Sequence, residues 1–405
     1  MCGAPIRRRN CAATSGIGSL ASRAWHTSSV THVPTSEVVP RVIPDRNDWV
    51  DSVRGVAITL VVLGHVVQFG SGNQLDHFEN PLFVVIYSFH MPLFAFISGY
   101  LAFGSFSRRE PLAVLRSKVS TIAIPYIAWT VLIGGSLVLA RQIAGSGIDP
   151  LALVASIGKM FLYPGETLWF LWFLLLAYLL ISVAISAGKT LREFAIPISV
   201  AIVFLIPLNQ ELEVFELRWL YPFFVLGYYV YRFKSNIAKW SLALTIFSLA
   251  VFVVLIMFWQ RDDSVYISQV LPEPGGITDT ALSWTYRYAV AFFGTAAAVG
   301  LIRLVSRRVS NSAIEALGRA SMGIYCIQNY LIAIVAMSPS PLVSAPALFW
   351  SYIFGLTVLI LVIAFVTTRR LLERFSILNR VFLGGRAPLI REDQTSARTA
   401  QSPLI

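Results

Sequence analysis

Ten apolar stretches recur along this chain, most of them close to the ~20 residues that a helix needs to cross a bilayer. They fall near 53–69, 82–103, 119–140, 169–187, 194–208, 219–231, 240–259, 284–302, 320–337 and 347–368. The fifth and sixth are short. Residues 151–163 form a further apolar piece that reads as an interfacial helix. Only 13% of the 405 residues are charged, against about 25% in a soluble domain. A soluble enzyme is excluded. The expected fold is all-α: a polytopic membrane helix bundle of about ten transmembrane helices. It occupies one domain over 47–380, between disordered cytosolic tails at 1–46 and 381–405.

Loop charges test the count. The N-terminal tail, the segments 104–118, 188–193, 232–239 and 303–319, and the tail from Arg369 onward hold 26 Lys and Arg residues. The intervening segments hold 4, and Arg54 and Arg287 remain inside apolar stretches. A missed or extra crossing would scramble this alternation. Basic residues mark cytosolic loops, so both termini are expected in the cytosol and the protein in the plasma (cell inner) membrane. The same placement accounts for the net charge of +11 with no nucleic-acid partner.

The first 46 residues hold no acidic residue before Glu37. They read as a disordered tail. An Arg- and Ser-rich, acid-poor segment also fits a transit peptide, and a start assigned too early fits as well. No apolar core with a cleavage site follows, which argues against a secretory signal. Cys2, Cys11 and Cys326 have neither zinc-ligand nor disulfide-framework spacing, and no metal site is expected.

Ionisable groups inside apolar stretches are costly and mark function by default. "VRGVAITLVVLGHVV" (53–67) carries two, Arg54 and His65. Eleven residues separate them, so on a helix they share one face to within about 20°, with a rise of roughly 16 Å. Arg54 sits near the cytosolic end, where snorkelling to the headgroups is one reading. His65 lies in the outer half of the bilayer, as a core histidine bonded to a neighbouring helix or as a working group. "IYSFHMPLFAFISGYL" adds His90, with Pro92 two residues on and Gly99 suited to close helix approach. "GETLWFLWFLLLAY" (165–178) puts Trp169 and Trp172 at an outer end, as an aromatic belt or a sugar-stacking platform. Glu166 beside them is a candidate acceptor for sugar hydroxyls. "GRASMGIYCIQNY" (318–330) aligns Ser321, Tyr325 and Gln328 on one face, to line a cavity or join helices. Arg287 lies near an outer end and reads as a snorkelling residue.

These blocks together resemble the acyltransferase-3 family of membrane acyltransferases, in its fucose 4-O-acetylase-like and sugar acyltransferase branch. The match runs through "DSVRGVAITLVVLGHV", "FHMPLFAFISGYL", "KVSTIAIPYIAW", "LWFLWFL", "YPFFVLGYYV" and "GRASMGIYCIQNY", over about 47–380. The resemblance implies about ten spans. It also implies transfer of an acyl group from cytosolic acyl-CoA, typically acetyl-CoA, to a hydroxyl of an extracytoplasmic sugar, a glycolipid or another small acceptor. By the resemblance, Arg54 engages the donor and His65 is the catalytic histidine. His90, the second histidine in an apolar stretch, is the alternative base or the partner that orients His65. Arg108 and Arg109 match a basic pair that helps hold acyl-CoA, here as "RRE" where Arg-x-Arg is common. Gln328 stands where many members have His.

Acyl transfer to an alcohol needs a base, and histidine titrates in the right range. It also needs donors for the oxyanion and little water around the thioester. The Arg54–His65 stripe suits a donor whose charged end stays at the inner surface while its reactive end reaches outward. The competing class is a glycan or small-molecule exporter. Internal repeats would support that, and none is visible between 53–231 and 240–368.

The loop charges generate a prediction. Single cysteines placed in 104–118 and in either tail should label only from the cytosolic side of sealed membranes. Labelling of 104–118 from outside would overturn the ten-span scheme.

Overall fold

The computed structural model describes residues 48–70, 76–145, 151, 154–155, 158–159, 168–188, 190–205, 215–239, 241–268, 276–309, 311–337 and 346–385. The tail expected at 1–46, most of the interfacial helix expected at 151–163, and Glu166 lie outside them. Among the described residues the structure is helical, with no strand. Each of the ten apolar stretches is mostly helical where it is described, with turn residues at some ends, as at Met257 and Phe258.

The main helices are α1 (Asp48–Gly70), α2 (Pro81–Phe106), α3 (Pro111–Lys118), α4 (Ile124–Ala144), α5 (Trp169–Ser186), α6 (Arg192–Leu205) and α7 (Phe215–Arg232). They continue with α8 (Ser241–Ile256), α9 (Ile277–Ser306), α10 (Ser312–Arg319), α11 (Ser321–Met337), α12 (Pro346–Thr367) and α13 (Ser376–Leu383). Six helical segments among the described residues are long and apolar enough to cross a membrane: Asp48–Gly70, Pro81–Phe106, Pro111–Ser136, Trp169–Ser186, Ile277–Ser306 and Ala347–Leu372. The other four apolar stretches fall short of that measure among the described residues. Among the described residues, helices α6, α8 and α11 have 14, 16 and 17 residues. At 1.5 Å per residue they are shorter than a hydrocarbon core of about 30 Å. Helix α7 carries Glu216, Arg218 and Arg232 within its 18 residues.

One boundary differs from the loop reading of 104–118. Helix α2 ends at Phe106, and α3 begins at Pro111, which occupies the first turn, where a missing N–H costs nothing. A π-turn over Val119–Ala123 carries α3 on into α4. Arg116 and Lys118 are therefore helical residues, not loop residues. At the other end of the chain α13 runs to Leu383, past the limit expected for the domain. Gly384 ends it in the left-handed conformation, φ 61°.

Helices α1 and α2 form the centre. Helix α1 packs against α2, α9, α10, α11 and α12, and α2 packs against α7 and α9. They are the two most buried of the membrane-long helices, and α2 runs without a break at Pro92. Glycines set the closest approaches. A Cβ at Gly99 would lie 1.8 Å from the Phe224 carbonyl oxygen, and one at Gly227 would lie 1.9 Å from that of Phe96. The α2–α7 pair is thus backbone against backbone. The α1–α10 pair uses the same device, with Gly55 against Ile314 and Gly318 against Asp51. Outward faces carry exposed Phe194, Ile198, Leu242, Phe247 and Val358, as expected for lipid contact. The protein is a multi-pass membrane protein.

Glycine substitutions discriminate these seats from open positions. A Cβ at Gly318 would meet the Asp51 carbonyl oxygen at 1.8 Å, whereas at Gly355 in α12 nothing lies within 4 Å. Gly318→Val should destabilise the purified protein by about 1–3 kcal/mol or more. Gly355→Ala should be neutral or stabilising by up to ~1 kcal/mol through helix propensity. Thermal unfolding in detergent reads both, and equal effects would contradict this packing.

Candidate active site

The site is built on the central helix and its neighbour α11. Near the start of α1 the Arg54 guanidinium donates to Ser321 Oγ at 2.9 Å and pairs with Asp51 at 3.6 Å. Arg319 pairs with the same Asp51 at 3.8 Å and with Glu315 at 3.7 Å. Two cations and two carboxylates thus neutralise one another at one end of the bundle. The Gly55–Gly318 contact brings these groups within reach, because it puts the first turns of α1 against α10 with no side chain between.

Eleven residues further along α1, His65 Nδ1 lies 3.0 Å from Gln328 Oε1. The proton can be assigned from the network. Gln328 Nε2 faces the Tyr325 carbonyl at 3.3 Å and Asn329 Oδ1 at 2.6 Å. A main-chain carbonyl only accepts, so the amide nitrogen belongs on that side and Oε1 faces the histidine. His65 Nδ1 then donates, and Nε2 keeps its lone pair. Gln328 is fully buried and His65 half-buried.

A cavity of about 340 Å³ runs beside this stripe. Arg54, Lys118 and Thr121 line one end, and Met91, Phe170 and Tyr325 line its apolar part. Tyr325 also fixes Gln328 through its carbonyl, so the cavity reaches to within one helical turn of the residue that holds His65. Its lining includes Val61, one turn before His65 on α1. A second, more polar hollow of about 280 Å³ shares Arg54, Met322 and Leu383 with it and is lined by Arg319, Glu373 and Asn379. Arg54 stands at the junction. Helix α13 closes this side: the Trp129 indole donates to the Phe382 carbonyl at 2.8 Å, and Gly384 fits against the Thr121 backbone.

His90 is buried in α2, and its Nδ1 lies 2.9 Å from the Ile86 carbonyl, so Nδ1 donates and Nε2 is the acceptor. The bond that orients His65 Nδ1 comes from Gln328 of α11. Tyr87 lies against His90 with ring centroids 4.7 Å apart, and its hydroxyl donates to Gln68 at 2.7 Å. Gly64 makes room for this tyrosine ring between α1 and α2. Tyr266 meets Tyr87 edge-on at 5.3 Å. Burial, and then the charge of Glu216, push the Tyr266 phenol well above its ordinary range, so it stays a neutral hydrogen-bonding group.

The other expected site residues are placed as follows. Ser321 and Tyr325 line the cavity, and the Tyr325 hydroxyl accepts from the Phe170 N–H at 3.4 Å. Trp172 stacks on Tyr126 at 6.0 Å and Trp169 packs edge-on to Phe170 at 6.0 Å. Both rings are half-buried against protein partners. Arg108 and Arg109 are exposed after α2 and do not line the cavity. Lys118 takes that place, 4.5 Å over the Tyr178 ring. Lys118 was counted among the loop charges but not singled out. Its signal was the helical period from Pro111, which turns it inward.

A family profile described as an acyltransferase domain matches residues 47–369. The chain belongs to the acyltransferase-3 family. Two relatives in this acyltransferase-3 group are both called nodulation protein NolL. One, from Sinorhizobium fredii (strain NBRC 101917 / NGR234), is 30% identical over 299 residues, covering 70% of this chain and 78% of its own length. The other, from Mesorhizobium japonicum (strain LMG 29417 / CECT 9101 / MAFF 303099), is 26% identical over 289 residues, covering 69% and 74%. No solved structure matches this acyltransferase-3 chain.

The Gln328 hook yields a measurable expectation. Gln328→Leu leaves the His65 Nδ1–H without its partner at a site screened from water. The purified protein should lose about 0.6–2 kcal/mol of stability, the range for interhelical hydrogen bonds in membranes. Unchanged thermal unfolding would mean that this bond does not hold α1 to α11.

Proposed function

We infer that this protein is an integral membrane O-acyltransferase of the cell inner membrane. It takes an acetyl group from cytosolic acetyl-CoA and delivers it to a hydroxyl of an extracytoplasmic or lipid-linked glycan. The observation that carries this reading is the single line from Arg54 along the cavity to a histidine whose Nε2 lone pair is held available by Gln328. Membership of an acyltransferase family favours transfer over export.

The donor's charged end belongs at the Arg54 junction. The polar hollow beside Arg319 suits the nucleotide, and Arg54 and Lys118 suit its phosphates through charge-assisted hydrogen bonds. The narrower apolar cavity suits the pantetheine arm. The ~16 Å rise from Arg54 to His65 is on the scale of that arm. Its apolar walls keep water from the thioester.

The acceptor approaches from the opposite side, where Tyr87, Tyr266, Gln68 and Glu216 offer rings and hydrogen-bonding groups. A sugar has both apolar faces and hydroxyls, which suits such a set. His65 Nε2 takes the acceptor hydroxyl's proton as its oxygen bonds to the thioester carbonyl carbon. The carbon–sulfur bond then breaks, and the proton passes from His65 to the departing CoA thiolate. Gln328 keeps the imidazole oriented as charge develops on it. His90, one turn from Tyr87, presents its own Nε2 as a hydrogen-bonding group on the acceptor side. In this reading Ser321 positions Arg54, and Tyr325 shapes the donor cavity. Trp169 and Trp172 act as wall, and Arg108 and Arg109 attract the anionic donor from a distance. No metal enters the mechanism.

The test is a radiolabelled acetyl-CoA assay on the purified protein with candidate glycans. His65→Ala should lose 10²- to 10⁴-fold in turnover, the usual contribution of a general base, while still binding acetyl-CoA. Arg54→Ala should weaken donor binding with the fold intact, and His90→Ala should lose less than His65→Ala. Wild-type turnover in His65→Ala would refute the mechanism. Unchanged donor affinity in Arg54→Ala would refute the donor path.

A further inference from the structure

A second cavity, of about 320 Å³, lies on another face of α2 and shares no lining residue with the Arg54 cavity. Its walls come from α2, α7, α8 and α9, with Trp49 of α1 at one end. Three cations rim it: Lys234, Arg303 and Arg307. Arg303 lies 5.6 Å over the Trp49 ring and Lys234 lies 4.3 Å over Tyr231. None of the three has a carboxylate partner among the described residues. Below this rim the lining is mostly apolar, and its Phe247 and Phe292 are exposed on the outer surface of the bundle. The cavity therefore opens sideways, to hydrocarbon.

Four hydroxyl residues line it: Ser241, Thr245, Ser248 and Thr295. Thr295 is 2% exposed and lines the cavity, and its hydroxyl has no hydrogen-bond partner. Buried Thr357 and Thr368 bond back to the carbonyl four residues earlier, Ile353 and Ala364, both at 2.8 Å, whereas buried Thr130, which does not line this cavity, shares the unpaired state of Thr295. An unpaired buried hydroxyl costs free energy, and at Thr295 an occupant of the cavity would supply the partner. It lies eight residues before Arg303 on α9. Helical side chains lean toward the N-terminus, which brings the Arg303 guanidinium back toward the level of Thr295.

We propose that this cavity holds one anionic phospholipid from the leaflet on the Arg54 side of the membrane. An acyl chain enters between Phe247 and Phe292, the phosphate rests among Lys234, Arg303 and Arg307, and the Thr295 hydroxyl donates to an ester carbonyl. Three groups of different chemistry thus match, in order, the three parts of one lipid. Acyl-CoA fits less well, because the cavity is separate from the one that leads toward His65. The site is independent of the donor and acceptor assignments above.

Trp49 reports on it directly. The full chain, purified in detergent, is titrated with phosphatidylglycerol carrying brominated acyl chains, which quench tryptophan on contact, and in parallel with phosphatidylcholine carrying the same chains. The Trp49 signal is the difference between wild type and Trp49→Phe. Phosphatidylglycerol should quench it at a roughly tenfold lower mole fraction, since each cation near a membrane surface favours an anionic lipid. The combined Lys234→Gln, Arg303→Gln, Arg307→Gln variant should bring the two lipids together. Arg307→Gln alone, at an exposed position, should move part of the way. Acetyl-CoA should leave the quenching unchanged. Equal quenching by the two lipids in wild type, or no shift in Arg307→Gln, overturns the proposal. Relief of quenching by acetyl-CoA also overturns it and assigns the cavity to the donor.

Discussion

Everything at the candidate site depends on how α1 is seated. Its first turns lie backbone against backbone on α10 through Gly55 and Gly318. Two polar rungs then join it to α11: Arg54 to Ser321 and His65 to Gln328. Groups of this kind cannot be left unpaired in hydrocarbon without a cost in free energy. The rungs therefore hold the functional side chains and stabilise the helix pair at once. Five neighbouring helices surround α1, which keeps both rungs from lipid.

The second rung explains a residue that departs from the common family pattern. A glutamine amide has an acceptor oxygen and a donor nitrogen, and here each has its own partner. The nitrogen is anchored on Tyr325 and Asn329, so the oxygen is committed to His65. An amide does not titrate in the physiological range, so the bond it makes to His65 does not change with pH on its own account. A histidine at that position would add a second titrating ring beside the first.

The two cavities divide the molecule by chemistry. The one beside Arg54 joins a polar hollow to an apolar passage, which suits a donor with a charged end and a thin arm. The one beside Arg303 joins a cationic rim to lipid-facing aromatics. Helix α2 separates them, with Met91, Phe94 and Ile97 on one face and Phe96 and Tyr100 on the other. Its close backbone contact with α7 at Gly99 and Gly227 makes it a firm partition.

Much of this was legible in the residues. Hydrophobic length located the helices, because a bilayer segment must satisfy its own backbone hydrogen bonds. The 3.6-residue period put Arg54 and His65 on one face of α1, and Ser321, Tyr325 and Gln328 on one face of α11. The ends were less legible: α3 starts at Pro111, inside a segment whose charges read as loop, since Arg and Lys can sit on a helix end as well as beyond it. Which helices meet was not legible at all. That Lys118, rather than Arg108 or Arg109, joins Arg54, that Gln328 holds His65, and that Trp172 spends a face on Tyr126 depend on contacts between segments far apart in the chain. Spacing along one helix follows from its own periodicity. Contacts between helices follow from where two backbones can approach, and here only the folded bundle decided that.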